Sequence, residues 1–219
     1  MLHVYALLRR PATVPATAGI DDAPLRVVTV ESEIEAVVSE TNGPGAPGEA
    51  AILAHARVVE ALAGANDAVL PARFADRIAD EDDLRQRLHG RRRELTGAFR
   101  RVSGCVEMGV RAFRATKASQ PRPDSGRAYM QRRLDDVGSA EQLARQLDEA
   151  LAALVREGTS RVLASGESLL AAAYLVPRAE LEQFRAAIGA VERARPDLTL
   201  VTTGPWPPYS FALLDADAA

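Results

Sequence analysis

The stretch Thr202-Thr203-Gly204-Pro205-Trp206-Pro207-Pro208-Tyr209-Ser210-Phe211 decides the fold of the C-terminal half. It holds the single tryptophan of the chain and three of its thirteen prolines. Proline has no N–H to donate to a β-ladder, so this segment cannot lie in the middle of a sheet. Apolar residues alternate with polar or small ones on both sides of the prolines. We therefore predict an edge strand over 198–214, broken by a bulge or kink, with Trp206 as a large apolar wedge.

The elements before this stretch follow the order β-α-β-β-α-β. Hydrophobic periodicity predicts a strand at 105–112, a long helix from 126, strands at 161–164 and 169–176, and a helix at 179–194. Gly138 is expected to interrupt the long helix, and Ser139 with Gln142 forms a capping box that restarts it. This order is the ferredoxin-like split βαβ arrangement, in which both helices cover one face of a four-stranded antiparallel sheet and the last strand is an edge.

The N-terminal half is predicted to be a smaller α+β unit of open topology. We expect strands at 2–8, 25–30 and 68–74, the last at an edge because Pro71 interrupts it, and helices at 31–39, 49–62 and 80–102. Two of these helices have predicted apolar stripes: Ile52, Leu53, Ala56, Val59 and Leu62 on the helix at 49–62, and Leu84, Leu88, Leu95, Phe99 and Val102 on the helix at 80–102. Loops are predicted at 42–48 and 115–125. Asp80 is the expected N-cap of the third helix. The predicted class is α+β, with an N-terminal α+β domain at 1–102 and a ferredoxin-like domain at 103–219.

Composition excludes several classes of protein. The net charge of -3 gives no argument for binding nucleic acid or an anionic membrane, and neither partner is expected. The single cysteine, Cys105, cannot form an internal disulfide and fits a reducing compartment. No apolar run approaches the ~20 residues that span a bilayer. The first charges follow the N-terminal apolar run rather than precede it, unlike a signal peptide. These features predict a cytoplasmic protein.

The groups that could carry catalysis or bind metal are few. His3, His55 and His89 lie on separate predicted elements without metal-ligand spacing. Cys105 lies in a strand and is interpreted as a small buried hydrophobe. The acidic run Asp80–Asp83 lacks the glycine and the distal glutamate of an EF-hand, and a helix cap explains it. The arginines of the 80–102 helix are interpreted as a solvated face paired with acids. No catalytic residue, cofactor or metal is predicted.

Several blocks of the sequence together resemble the GvpF/GvpL family of gas vesicle accessory proteins, over nearly the whole length. The most specific block is Gly204–Phe211. The others, in chain order, are Val4-Tyr5-Ala6, His55 with Val58-Val59, Leu70–Phe74, Gly104 with Glu107, Gly109 and Val110, and Gly126-Arg127-Ala128-Tyr129.

This resemblance implies a non-enzymatic role in building gas vesicles, as a minor vesicle component or assembly factor located in the cytoplasm and at the vesicle. Family members interact with the shell protein GvpA and are thought to aid nucleation or to prevent aggregation of shell subunits, so GvpA is the expected partner, with other accessory proteins beside it. The family fold is a two-domain α/β fold with a ferredoxin-like C-terminal part. No catalytic residues carry over.

The candidate partner-binding residues are apolar side chains of the C-terminal stretch and a polar group in the helix that begins at 126. They are Trp206, Tyr209, Phe211, Arg127, Tyr129, Arg132 and Arg133. A shell protein with exposed apolar surface and strand edges needs a partner that covers both, and these side chains offer such cover. The alternative interpretation makes Trp206 and Phe211 core anchors that join the domains.

Two other functions stay open at the level of sequence. A ferredoxin-like domain that binds a small molecule between sheet and helices would act as a regulatory protein. An enzyme would use Glu107 as a buried carboxylate with an arginine partner.

Overall fold

The computed structural model describes residues 1–41, 48–74, 78–115, 125–165 and 168–212, with the backbone alone at 128, 129, 132, 164 and 165. The chain divides into two compact units. The first comprises Met1–Cys105 and the chain from Trp206 onward, and the second comprises Val106–Pro205. The predicted domains at 1–102 and 103–219 differ from this division in assigning the C-terminal stretch to the second half. The predicted loops at 42–48 and 115–125 lie almost entirely outside the described residues.

The first unit is built on a four-stranded sheet. Its strands are β1 (Leu2–Arg9), β2 (Arg26–Glu31), β3 (Ile34–Glu40) and β4 (Val69–Pro71), in the order β2-β3-β1-β4. β1 is central and is buried from Leu2 to Leu8, as its continuous apolar run predicts. β4 lies at an edge, where the missing N–H of Pro71 is tolerated, as predicted.

The predicted helix at 31–39 is wrong, because this segment forms β3. β3 pairs with β1 on one side and with β2 on the other. The β-branched residues Ile34, Val37 and Val38 favour a strand buried on both faces, and each is at most 3% exposed. The buried Glu35 carboxylate accepts a hydrogen bond from the backbone N–H of Ala12 at 2.9 Å. The apolar spacing of this segment fits a helix as well as a strand. Pairing with β1 and β2 selects the strand.

Helix α1 (Glu49–Ala65) covers this sheet with a face that shares Val59 and Leu62 with the predicted apolar stripe. Val58, Val59 and Leu62 are fully buried in a cluster of apolar side chains from α1 and the sheet. Ile52 and Leu53, which were predicted to lie on the apolar stripe, are 46% and 55% exposed. His55 is buried in their place.

The predicted helix at 80–102 consists of two helices, α2 (Glu81–Leu88) and α3 (Arg92–Val102). Gly90 lies between them with a φ of +77°, a conformation that a helix does not contain. Asp80 caps α2, because its carboxylate accepts hydrogen bonds from the backbone N–H groups of Asp82 and Asp83. The predicted apolar stripe is confirmed as buried. It consists of Leu84, Leu88, Leu95, Phe99 and Val102.

The second unit has the predicted ferredoxin-like arrangement. Its elements are β5 (Cys105–Arg114), α4 (Gly126–Leu151), β6 (Glu157–Ser165), β7 (Ser168–Pro177), α5 (Leu181–Ala194) and β8 (Leu198–Trp206). The first residue of β5, Cys105, and the last residue of β8, Trp206, belong to the first unit. The antiparallel sheet has the order β6-β7-β5-β8, which places β8 at an edge. The α+β class is therefore confirmed.

The core of the second unit lies between its sheet and its two helices. Leu143, Leu147 and Leu151 from α4 and Phe184 from α5 are fully buried against β7 and β5. Burial of a leucine or phenylalanine side chain contributes about 1.5–3 kcal/mol. α4 is continuous through Gly138, so the predicted interruption is wrong. The buried stripe of α4 outweighs the low helix propensity of one glycine.

The C-terminal stretch is a strand only up to Trp206. Beyond it the chain turns, and the predicted continuation of the strand to 214 is wrong for the described residues up to 212. Pro207 and Pro208 cannot donate ladder hydrogen bonds, but their carbonyl groups accept turn hydrogen bonds from later N–H groups.

Candidate functional site

The turn after β8 separates the three aromatic candidates by exposure. Trp206 is 46% exposed, Tyr209 is half-buried against the apolar cluster between α1 and its sheet, and Phe211 is 3% exposed. The N–H groups of Phe211 and Ala212 donate to the carbonyl oxygen of Pro208 at 3.1 and 2.9 Å. This turn directs Phe211 inward and leaves Trp206 accessible. Phe211 thus has the burial that the core-anchor interpretation requires, whereas Trp206 presents apolar surface to solvent.

The polar candidates lie on α4, in the other compact unit. Arg127 and Arg133 are exposed. The side chains of Tyr129 and Arg132 lie outside the described part of the structure. We therefore treat the Trp206 segment and the arginines of α4 as two separate candidate surfaces.

The edge strand that carries Trp206 is partly protected from pairing with another chain. The backbone N–H of Leu200 donates to the Glu192 carboxylate at 2.9 Å. A charged side chain that covers an edge N–H opposes the addition of a further strand. Contact through the Trp206 side chain is therefore favoured over contact through the strand edge.

Two histidines that the sequence places 52 residues apart meet in the first unit. The Nε2 atom of His3, on β1, lies 2.8 Å from the Nδ1 atom of His55, on α1. The ring of Tyr5 stacks on His55 with centroids 5.4 Å apart, and the ring of Phe74 lies edge-on to His55 at 5.6 Å. Sequence reasoning missed this pair, because neither residue carries a local signal for the other.

The surroundings of the pair favour neutral imidazoles. Burial lowers the pKa of His3 to about 4, with a further contribution from the neighbouring His55. Burial also lowers the pKa of His55. One neutral ring donates its N–H and the other accepts it, so the pair can form a single hydrogen bond that links β1 to α1.

The described residues do not bring metal ligands together. Among them there is no group of three or more His, Cys, Asp or Glu side chains that could hold an ion. The His3–His55 pair supplies two nitrogen ligands, one fewer than a catalytic zinc site uses. His89 follows the end of α2 and is exposed to solvent. The acids of the Asp80–Asp83 run bind backbone N–H groups and arginines instead.

The arginine-rich helices are paired with acids, as predicted. Arg85 contacts Glu81 and Asp82 at 2.7 and 2.9 Å, and Arg87 contacts Asp83 at 2.9 Å. The hydrogen bond from Arg87 lowers the pKa of Asp83. These exposed pairs leave little reason to assign the helices to phosphate binding.

The structure also describes the residues on which the enzyme and the small-molecule-binding alternatives depend. Glu107 is half-buried in β5 rather than buried, and Cys105 is 4% exposed. The space between the sheet and the helices of the second unit, where a regulatory ligand would bind, is packed with apolar side chains. An open polar groove of about 620 Å³ lies instead in the first unit, lined by residues such as Arg26, Glu40 and Arg85.

No helix within the described ranges combines the length and the apolar character needed to cross a bilayer.

The chain is similar in sequence and in fold to known gas vesicle proteins. A family model described as "Gas vesicle synthesis protein GvpL/GvpF" matches residues 1–213. Gas vesicle protein F of Streptomyces sp. (strain CB03234) is 31% identical over 95% of this chain and 98% of its own length. Gas vesicle protein L of the same strain is 33% identical over 73% of this chain and 67% of its own length. The crystal structure of GvpF from Anabaena sp. PCC7120 superposes with a TM-score of 0.81 at 17% identity, covering 98% of this chain and 96% of that one, which shows a shared fold.

Proposed function

Because the chain belongs to the GvpL/GvpF family of gas vesicle synthesis proteins and so has an accessory role in gas vesicles, we propose that it binds the shell protein GvpA and aids nucleation or assembly of the vesicle wall. The binding is non-enzymatic and needs no cofactor. The protein acts in the cytoplasm and at the growing vesicle, where other accessory proteins are further partners.

The exposed side chain of Trp206 is the observation that carries this proposal. A tryptophan that is 46% exposed at the end of an edge strand is a large apolar side chain available to a partner. Aromatic side chains of this kind dominate the binding energy of protein interfaces. Tyr209 packs the following turn against the apolar cluster between α1 and its sheet, and Phe211 in the same turn is buried.

The arginines of α4 form a second proposed contact. Arg127 and Arg133 are exposed and carry positive charge. Together with Tyr129 and Arg132 they would contact polar or acidic groups of a vesicle protein. Charges at the rim of an interface mainly affect the rate of association and its salt dependence.

Co-purification with GvpA tests the role of Trp206. The Trp206→Ala variant should lose about tenfold or more in affinity for GvpA, since truncation of an aromatic hot spot costs about 2 kcal/mol or more. Val27→Ala is the matched control, because Val27 is 44% exposed on β2, an edge strand of the first unit. A Trp206→Ala variant that folds normally and retains full binding would remove Trp206 from the contact surface.

A further inference from the structure

The N-terminal part of α4, from Arg127 to Asp135, has described side chains that face solvent. Each side chain described between Arg127 and Asp135 is exposed, although the same helix buries Ala140, Leu143 and Leu147 further on. Met130 and Leu134 are 55% and 62% exposed, and within the described part of the chain Leu134 is the most exposed of the large hydrophobic side chains. An exposed apolar pair on a helix indicates an interaction surface.

This pair belongs to a stripe with the spacing of a coiled coil. Arg127, Met130, Leu134, Val137 and Glu141 alternate at intervals of three and four residues, the a and d positions of a heptad. The stripe is distinct from the buried stripe of α4, from which it is rotated by about 100° around the helix axis. It is basic at its N-terminal end, apolar in its middle and acidic at its C-terminal end.

We propose that this stripe binds the same stripe of a second copy of the chain in antiparallel orientation. The inference goes beyond the proposed binding of GvpA. A two-fold axis through Leu134 sets Leu134 against the partner's Leu134 and Arg127 against the partner's Glu141, since both lie seven residues from the centre. The stripe is thus complementary to itself in charge when it is inverted, as a contact between identical surfaces requires.

Gly138 gives an independent reason for this arrangement. The same axis places Met130 over the partner's Gly138. A glycine inside a helix costs about 0.5–1 kcal/mol relative to alanine. A Cβ atom at position 138 would meet no atom within 4 Å, so close packing within the described chain does not require the glycine. In the paired helices its missing side chain leaves room for the partner's Met130.

The residues of the stripe also indicate which partner binds it and how tightly. The centre of the stripe is apolar and its C-terminal end is acidic. An acidic end would repel a polyanion, whereas it attracts the basic end of a second copy in antiparallel orientation. The segment from Arg127 to Glu141 is about 21 Å long, so the interface is near the small end of specific interfaces. We expect a reversible dimer with a dissociation constant on the order of 10–100 µM.

Sedimentation velocity over a concentration series of the full chain tests the proposal. Arg127→Glu and Glu141→Arg should each weaken the dimer about tenfold, because each sets like charges opposite one another, and the double variant should recover at least half of the loss in free energy. Leu134→Glu should abolish the dimer. Leu53→Glu, at a site that is 55% exposed in the first unit, is the matched control and should leave it intact.

Cross-linking tests the position of the axis. Leu134→Cys should form an interchain disulfide under mild oxidation, whereas Gln142→Cys, also exposed on α4, should not. Circular dichroism verifies that each variant is folded. A chain that stays monomeric to several hundred µM would overturn the proposal, since the expected dissociation constant is about 10–100 µM. So would a dimer that survives Leu134→Glu, or an Arg127/Glu141 charge exchange that gives no recovery.

Discussion

The buried His3–His55 pair predicts that mild acid destabilises the first unit. Both pKa values are lower in the folded protein than the ordinary value of 6.5. Their stabilising effect is therefore fully present above pH 6.5 and is lost as the pH falls toward the folded values, because only the unfolded chain takes up protons in that range.

The size of the effect follows from the His3 values of 6.5 and about 4. Proton uptake by the unfolded chain alone lowers the free energy of unfolding by about 2 kcal/mol between about pH 7.5 and about pH 5. Partial solvent screening reduces this to about 1 kcal/mol, and the lowered pKa of His55 acts in the same direction. Carboxyl groups such as Asp83 and Asp197, with pKa values lowered by arginine hydrogen bonds from an ordinary 3.8, contribute only in stronger acid.

Urea unfolding followed by fluorescence is the assay, because the single tryptophan, Trp206, belongs to the first unit. The His3→Phe/His55→Leu double variant should flatten the pH dependence above about pH 5, since it removes both titrating groups. His89→Gln, at the exposed third histidine, is the control. A wild-type stability that does not change between about pH 7.5 and about pH 5, or a double variant with the wild-type slope, would refute the reasoning.

Three further predictions concern packing and capping. Asp80→Ala should lower the free energy of unfolding by about 1 kcal/mol because α2 loses its N-cap. Asp80→Asn keeps a capping side chain and should retain most of the wild-type stability, and urea titration measures both variants. Leu143→Ala should cost about 2–5 kcal/mol, whereas Leu134→Ala at an exposed position should cost little; calorimetry of dilute protein compares them. Gly109→Ala should cost about 1–2 kcal/mol, because its Cβ would lie 2.6 Å from Thr203 Oγ1, and Thr203→Ala should relieve part of the loss.

Local sequence patterns predicted most of the second unit. The alternation in β5, the leucine spacing in α4 and the prolines after β8 each have a local cause, and together they determine the strand order. The predictions at Gly138 and beyond Trp206 were wrong where a local preference competed with packing or turn formation. Burial of the apolar stripe of α4 keeps the helix continuous at Gly138. The turn carbonyls of Pro207 and Pro208 ended the strand.

The first unit and its histidine pair were less accessible to sequence reasoning. The segment that forms β3 fits a helix or a strand, and only its pairing with two neighbours selects the strand. The contact between His3 and His55 depends on the packing of α1 against β1, a long-range event without a local signal. The exposed pair Met130 and Leu134 did have a signal, the spacing of three and four residues, but an exposed stripe cannot be told from a buried one before the core is known.

Complementation of a gas vesicle gene cluster that lacks this gene tests the central claim most directly. The account predicts that cells without the gene form no intact vesicles by electron microscopy, that the wild-type gene restores them, and that a folded Trp206→Ala variant restores them poorly. Vesicles of normal number and shape in cells without the gene would contradict a role for this protein in vesicle assembly.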